Sequence, residues 1–415
     1  MMFIQFFVWG VWYVPMAPYL GGLGFTNGQI GWAYAFTGVA AIISPFFVGM
    51  IADRFFPSQV VLGVLHLLGA LFLYLAASAT TWDGFWPLLL LHLVCYMPTL
   101  ALVNSVSFQN MKDPQNQFPP VRVLGTIGWI VSGILVGSGF LAAGGGLHFQ
   151  WPQFLGGSAP ADGLTGLGVT KWPFYIGAIA SVLLGVYSFL LPHTPPGLKG
   201  KDVSVGDILG LKSLKLMRDP SFAIFIICSL LICIPLSFYY QSANGYLKAM
   251  GVNNSEGVMT LGQFSEIFFM LLVPFFFRKL GVKMMLMVGM FCWVLRYVLF
   301  ANAGPDAHAF LFFGVLLHGI CYDFFFVTGQ LYVDKRAPED VRSSAQGFIT
   351  FVTLGVGMFI GGLVNGWWNG RQTEGDVVNW SGVWYFPAIM ALAVLVVFAL
   401  MFKNPRSPEE PASLS

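Results

Sequence analysis

Twelve apolar stretches of about the length a helix needs to cross a bilayer dominate this chain. They fall at roughly 2–20, 29–52, 59–79, 85–107, 120–143, 173–191, 220–247, 257–277, 284–303, 309–333, 343–366 and 381–403. A spanning helix takes about 20 residues at 1.5 Å each. Between the stretches there is too little polar sequence for a soluble domain: 57% of the 415 residues are hydrophobic and 9% are charged. Soluble domains carry about 25% charged residues. The chain is therefore expected to be an all-α integral membrane protein of twelve transmembrane helices. Its first stretch, MMFIQFFVWGVWYVPM, has no basic region ahead of it and is read as a retained helix rather than a cleaved signal. The five cysteines all lie in apolar stretches, which argues against a disulfide framework or a zinc site.

Charge sets the expected orientation. With the N-terminus inside, the cytoplasmic loops and tail hold fifteen lysines and arginines, and the outside holds three, Lys171, Lys248 and Arg371. Both termini are then cytoplasmic. Trp82, Trp86, Trp151, Trp172, Trp367, Trp368, Trp380 and Trp384 gather near the outer face as an aromatic belt.

A basic linker, 192–219, splits the spans six and six. Residues 1–191 form the first half, 220–403 the second, and 404–415 a polar tail. The halves echo each other: GMIADRFFPSQ (Gly49–Gln59) follows span two and FFFRKLGVK (Phe275–Lys283) follows span eight. PPVRVLGTIG opens span five and EDVRSSAQG opens span eleven. These two spans also carry Gly133-xxx-Gly137 and Gly357-xxx-Gly361, spacings that let helices approach closely. Two six-helix repeats with a site between them are expected. The exterior loop near 144–172 is rich in Gly and Pro and carries no catalytic pattern.

Charged groups inside the apolar stretches point to function, because burying one in a bilayer costs about 2.5–3.5 kcal/mol on insertion scales. Glu266 lies twelve residues from Arg278, about 18 Å along a helix, and Asp323 lies eleven from Asp334, about 16 Å. Both belong near the midplane, where a carboxyl group can carry a proton or hold a polar substrate; the structural alternative is a pairing with Arg122 or Arg296. Gln263 shares a helix face with Glu266. Arg122, Thr126 and Trp129 share a face of the fifth helix at i, i+4 and i+7. Arg122 binds substrate, pairs with a carboxylate of the other half, or snorkels near the helix start at Pro119 and Pro120. Arg296, nearer the outer end of its span, reads as a snorkelling residue. His318, Tyr322 and Asp323 lie on one side of the tenth helix, and His318 is either a proton relay or a hydrogen-bonded core residue. Tyr239, Tyr240, Gln241 and Asn244 either line a cavity or mark the outer end of the seventh helix. There is no Walker A pattern, HExxH helix or GxSxG elbow. No catalytic group, cofactor, metal or nucleic-acid partner is expected.

GMIADR resembles the loop after helix two of the major facilitator superfamily. A more specific set spans nearly the whole chain: FVWGVW (Phe7–Trp12), YMPTLALVNSVSF (Tyr96–Phe108), FPPVRVLGTIGW (Phe118–Trp129), GQFSEIFF (Gly262–Phe269), WVLRYVLFA (Trp293–Ala301), YDFFFVTG (Tyr322–Gly329) and RSSAQG (Arg342–Gly347). These segments resemble the bacterial nucleoside:proton symporter family of that superfamily. The resemblance implies a fold of two six-helix halves and proton-coupled nucleoside import by alternating access, in the inner membrane. It also implies that Arg122, Thr126, Gln263, Glu266 and Asp323 bind nucleoside or couple to protons, with Trp129 holding the base. Tyr322 precedes the aspartate, and His318 stands where the family can have a tyrosine. The chain departs on helix seven, where the family's glutamine and asparagine fall at Ser237 and Tyr240, with Gln241 adjacent. The expected substrate-binding set is Arg122, Thr126, Trp129, Gln241, Gln263, Glu266, His318 and Tyr322, and the proton-linked pair is Glu266 and Asp323. A monomer in the lipid bilayer is expected. A proton-linked sugar or metabolite transporter and a non-transporting sensor stand as alternatives.

Overall fold

The structure, a computed structural model, describes residues 1–47, 55–151, 161–196, 211–304, 307–338 and 342–403. GMIADR, half of the linker (197–210), residues 152–160 of the exterior loop and the tail lie outside the described residues. Hydrocarbon offers no water to bond free backbone groups, so each span must satisfy its own N–H and C=O groups, as a helix does. Each of the twelve expected spans is helical over most of its described residues. They are α1 (Met2–Tyr13, continued by Met16–Gly22), α2 (Asn27–Phe47), α3 (Ser58–Ser78), α4 (Trp82–Gln109), α5 (Pro114–Ser138) and α6 (Trp172–Ser188). Then come α7 (Pro220–Ala249), and α8 and α9 within Ser255–Asn302. The last three are α10 (His308–Leu316, His318–Tyr322, a π-helical turn Asp323–Val327 and Thr328–Arg336), α11 (Arg342–Thr350, a π-helical turn Phe351–Gly357 and Met358–Gln372) and α12 (Trp380–Met401).

Three details differ from the expected spans. Helices α8 and α9 are parted at Gly281 alone, with φ 68° and ψ 175°, a conformation glycine adopts without a side-chain clash. Helix α5 stops at Ser138, and the residues expected to complete it form strand β1 (Gly139–Ala142). This pairs antiparallel with β2 (Leu147–Phe149) and β3 (Leu164–Gly166), giving the exterior loop a three-stranded sheet in the order β2-β1-β3. Gly145, at φ 83°, turns the chain between β1 and β2.

The third difference is the break in α1, and its cause is in the sequence VPMAP. Pro15 and Pro18 have no N–H to give to the helix. The hydroxyl of Tyr34, from α2, repairs one gap by donating to the Tyr13 carbonyl at 2.9 Å and accepting from Ala17 N–H at 3.3 Å. The Val14 carbonyl, whose regular partner would be Pro18, instead accepts from Asn244 Nδ2 of α7 at 3.2 Å. The second repair comes from the other end of the chain and joins α1 to α7.

Buried apolar residues gather in two large clusters. One is drawn from Val8–Ala180 and the other, apart from Val14, from Phe222–Phe402. Helix α5 packs on α8, and α2 packs on α11. In these contacts Gly137 lies on Gly257, and Gly31 lies on Gly362 and Gly366. Gly357 and Gly361 approach Cys233 and Ser237 of α7, while Gly125 and Gly128 approach Phe6 and Phe3 of α1. Helices α5 and α11 each use one set of glycines within their own cluster and another toward the opposite one. Large apolar side chains such as Leu71, Leu183, Leu190, Phe313, Ile389 and Leu400 lie on the outside of the bundle, as a lipid-facing surface requires.

A Cβ on Gly137 would lie 2.6 Å from the Gly257 backbone nitrogen. Gly137→Leu should therefore push α5 off α8, with a loss of about 1–3 kcal/mol typical of overpacking. A Cβ on Gly347 meets nothing within 4 Å, so Gly347→Ala should leave stability unchanged or slightly raised. Melting temperatures of the two purified variants test the contact; equal values would remove the weight placed on it.

Candidate functional site

The contacts of Gly137 with Gly257 and of Gly133 with Thr260 set an antiparallel register between α5 and α8. Followed away from these glycines, that register brings Trp129 and Thr126 level with Gln263 and Glu266. Thr126 and Gln263 are buried, and Arg122, Trp129 and Glu266 are partly accessible. Gly319 of α10 lies against the Ser265–Glu266 backbone, which sets α10 beside α8 at the level of Glu266. Arg122 holds its guanidinium 4.3 Å over the Phe6 ring. The sequence left Arg122 as a ligand, an ion-pair partner or a snorkelling group. The register of α5 on α8 carries the helix face it shares with Thr126 along the α8 segment that holds Glu266.

Aromatic side chains form a layer across the two clusters. Trp129 stands 5.5 Å from Trp9 and 6.5 Å from Tyr13 and from Tyr240, and Tyr13 stands 5.9 Å from Tyr240. Tyr240 continues to His318 at 6.3 Å, and His318 to Tyr322 at 5.7 Å. The polar run on α7 thus divides. Tyr240 faces this layer, and Asn244 turns to Val14 and Glu256. Gln241 is buried with no partner for its carbonyl oxygen among the described residues, and no contact ties it to Arg122 or Glu266. Ser237 packs against Met358 and Gly361 of α11.

Asp323 is fully buried at the start of the π-helical turn of α10, and neither of its oxygens has a hydrogen-bond partner among the described residues. π-helical turns within α-helices are frequent at functional sites. A carboxylate with no donor around it carries a desolvation cost that taking up a proton removes.

Two features were not read from the sequence. Arg296, expected to snorkel, is fully buried; its guanidinium lies 3.4 Å over the Tyr239 ring and bonds His318 Nδ1 at 3.1 Å. Its level along α9 suggested the interface, but the helix face it occupies points inward. Glu256, on the first turn of α8, is also buried. It pairs with Lys248 at 2.6 Å, accepts from Asn244 Nδ2 at 3.1 Å, and stands beside Ser255, which bonds Asn244 Oδ1. Gly168 of the exterior loop lies against the same carboxylate. The only sequence signal for this cluster was the Pro15/Pro18 pair, which leaves Val14 needing a donor.

Twelve apolar helices around polar side chains held at mid-depth define a secondary transporter. Residues 1–407 match the family model described as nucleoside H+ symporter. The chain is 46% identical over 414 residues to YegT of Escherichia coli K12, whose name assigns it to nucleoside transport only provisionally; the match covers 97% of this chain and 92% of YegT. It is 30% identical to the xanthosine permease of the same organism, over 99% and 96% of the two chains. A crystal structure of a mutant of nucleoside transporter NupG superimposes with a TM-score of 0.85 at 29% identity, over 97% and 98% of the chains. The chain belongs to the nucleoside H+ symporter family. It is a multi-pass membrane protein and a proton-coupled nucleoside transporter. The sugar-transport and sensor alternatives are not favoured.

Lys248→Met should lower the melting temperature, since removing one partner of a buried pair costs about 3–5 kcal/mol. Lys248 is a quarter exposed, so the lower end applies. Adding Glu256→Gln, which removes the stranded charge and keeps an acceptor for Asn244, should restore part of the loss. No change in the single variant would show that the pair contributes nothing to stability.

Proposed function

We propose that the protein imports nucleosides by alternating access of residues 1–191 against 220–403, joined by the linker 192–219. We place both termini on the cytoplasmic side of a bacterial inner membrane, on the strength of the fifteen-to-three distribution of lysine and arginine. In this reading Arg122, Thr126 and Gln263 hold the polar edges of ribose and base. Trp129 and Tyr322 pack on the base, with Gln241 and His318 completing the set. Glu266 binds substrate and feels the proton, and Asp323 is the coupling acid.

One observation supports this assignment above the others. Arg122, Thr126, Gln263, Glu266 and Tyr322 make no side-chain hydrogen bond among the described residues, and neither does Asp323 through its carboxylate, although they cluster deep in an apolar bundle. Polar groups buried for structure are normally satisfied within the protein. Groups kept free at this depth suit a ligand that carries its own donors and acceptors. Gly319 of α10 lies against the Ser265–Glu266 backbone of α8, which supports coupling between the acids that the two helices carry.

Uptake into vesicles should follow an inward proton gradient and collapse with a protonophore. Asp323→Asn, which imitates the protonated acid, should keep nucleoside binding and counterflow but lose accumulation. Glu266→Gln should weaken binding itself, as a charged acceptor does more for a hydroxyl than an amide does. Calorimetric binding beside uptake and counterflow separates the two. If Asp323→Asn still concentrates substrate while Glu266→Gln binds normally and does not, the roles are reversed.

Arg122→Ala should insert and fold but bind nucleoside at least about tenfold more weakly, as for the loss of a hydrogen bond to a charged group. Wild-type affinity in the purified variant would return Arg122 to a structural role.

A further inference from the structure

Arg296 and His318 form a buried unit of which the transport reading uses only His318. Arg296 is fully buried on α9, and no carboxylate lies within ion-pair distance of it among the described residues. Aromatic faces surround the guanidinium instead: Tyr239 at 3.4 Å, Trp293 at 5.5 Å and Phe300 at 5.9 Å from the ring centres. Its hydrogen bond goes to His318 Nδ1. A guanidinium has five donors and no acceptor, and it stays protonated in proteins. Nδ1 must therefore be the acceptor. The imidazole is neutral and its single proton is on Nε2. An imidazolium would lose this bond and set two cations 3.1 Å apart.

The ring is also held in place. Tyr239 stacks on it at 5.0 Å, and Tyr240 and Tyr322 stand at 6.3 and 5.7 Å. A Cβ on Gly262 would meet His318 Cβ at 3.0 Å, so glycine there admits the side chain against α8. Ser265 Oγ bonds the Leu316 carbonyl at 2.6 Å, where α10 breaks one residue before His318. Tyr240 and Tyr322 belong to the aromatic layer between the halves, and Nε2 takes up no hydrogen bond among the described residues.

We propose that Arg296 is a positioning residue for substrate selection: it locks His318 as the neutral Nε2–H tautomer, so that His318 offers one hydrogen-bond donor to a carbonyl oxygen or ring nitrogen of the nucleobase. This rests on the reading that the layer around Tyr240 and Tyr322 borders the nucleoside site. It assigns His318 to recognition and removes it from the proton path. Donor and acceptor roles at this position are then set by a residue that never touches the substrate.

The test pairs a spectrum with transport. Nitrogen-15 NMR of histidine-labelled protein in lipid bilayers, with the His318 signals assigned by difference from His318→Gln, should show unprotonated Nδ1 and protonated Nε2. Arg296→Met should release the tautomer to a mixture, and Arg296→Lys, which keeps a cationic donor, should restore it in part. In uptake assays Arg296→Met should raise KM by about two- to threefold, in proportion to the donating tautomer lost, for a nucleoside whose base offers an acceptor, with the maximal rate per folded transporter kept. It should change KM little for an analogue in which carbon replaces that acceptor. Should Arg296→Met fail to fold, His318→Phe, which keeps a ring and removes the donor, should raise KM by about tenfold for the first substrate and change it little for the second. A protonated or Nδ1–H His318 in the wild-type spectrum overturns the proposal. So does a KM change equal for both substrates. Loss of nucleoside transport in the wild type would instead fail the underlying functional reading and leave the spectral result standing.

Discussion

Helices of the two halves cross at α5–α8 and at α2–α11, and at both places glycine lets one backbone lie directly on the other. Hydrocarbon gives helices little reason to associate through apolar burial, so close approach and polar contacts have to supply the cohesion. The Gly137–Gly257 and Gly31–Gly366 contacts supply the first. The second comes from Asn244, which satisfies a carbonyl that Pro18 cannot serve and joins it to the Lys248–Glu256 pair. The Gly137 and Asn244 contacts sit beyond Trp129 and Tyr240 on α5 and α7, and the partly accessible Arg122 lies before Trp129 on α5.

Buried charge is treated in three ways here. Glu256 is paired and hydrogen-bonded on each side, as a structural acid should be. Arg296 is surrounded by aromatic faces and one imidazole nitrogen, a weaker compensation for a group that cannot give up its proton. Asp323 has no such compensation among the described residues, and it can relieve its burial by taking a proton. The residue with the least structural support is thus the one best suited to cycle between states. Arg122, opposite Glu266, is intermediate: Phe6 supports its guanidinium, and its donors remain free for a partner.

The twelve spans and the intramembrane acids followed from the sequence because each depends on local chemistry. A run of apolar residues has one stable solution in lipid, and a carboxylate within it is conspicuous at any position. The helical face shared by Arg122, Thr126 and Trp129 was legible for the same reason, since spacing alone sets it. Tertiary structure decided everything that depends on which face meets which neighbour. It turned Arg296 inward where its depth suggested the interface, divided the Tyr239–Asn244 run between an aromatic layer and a carbonyl cap, and buried Glu256, which lies too near a helix end to stand out. It also ended α5 at Ser138, because strand pairing with Leu147–Phe149 and Leu164–Gly166 outweighs continued apolar composition. Partner identity in a helical bundle is a matter of rotation about each axis, and a single sequence carries no signal for rotation until the helices are packed.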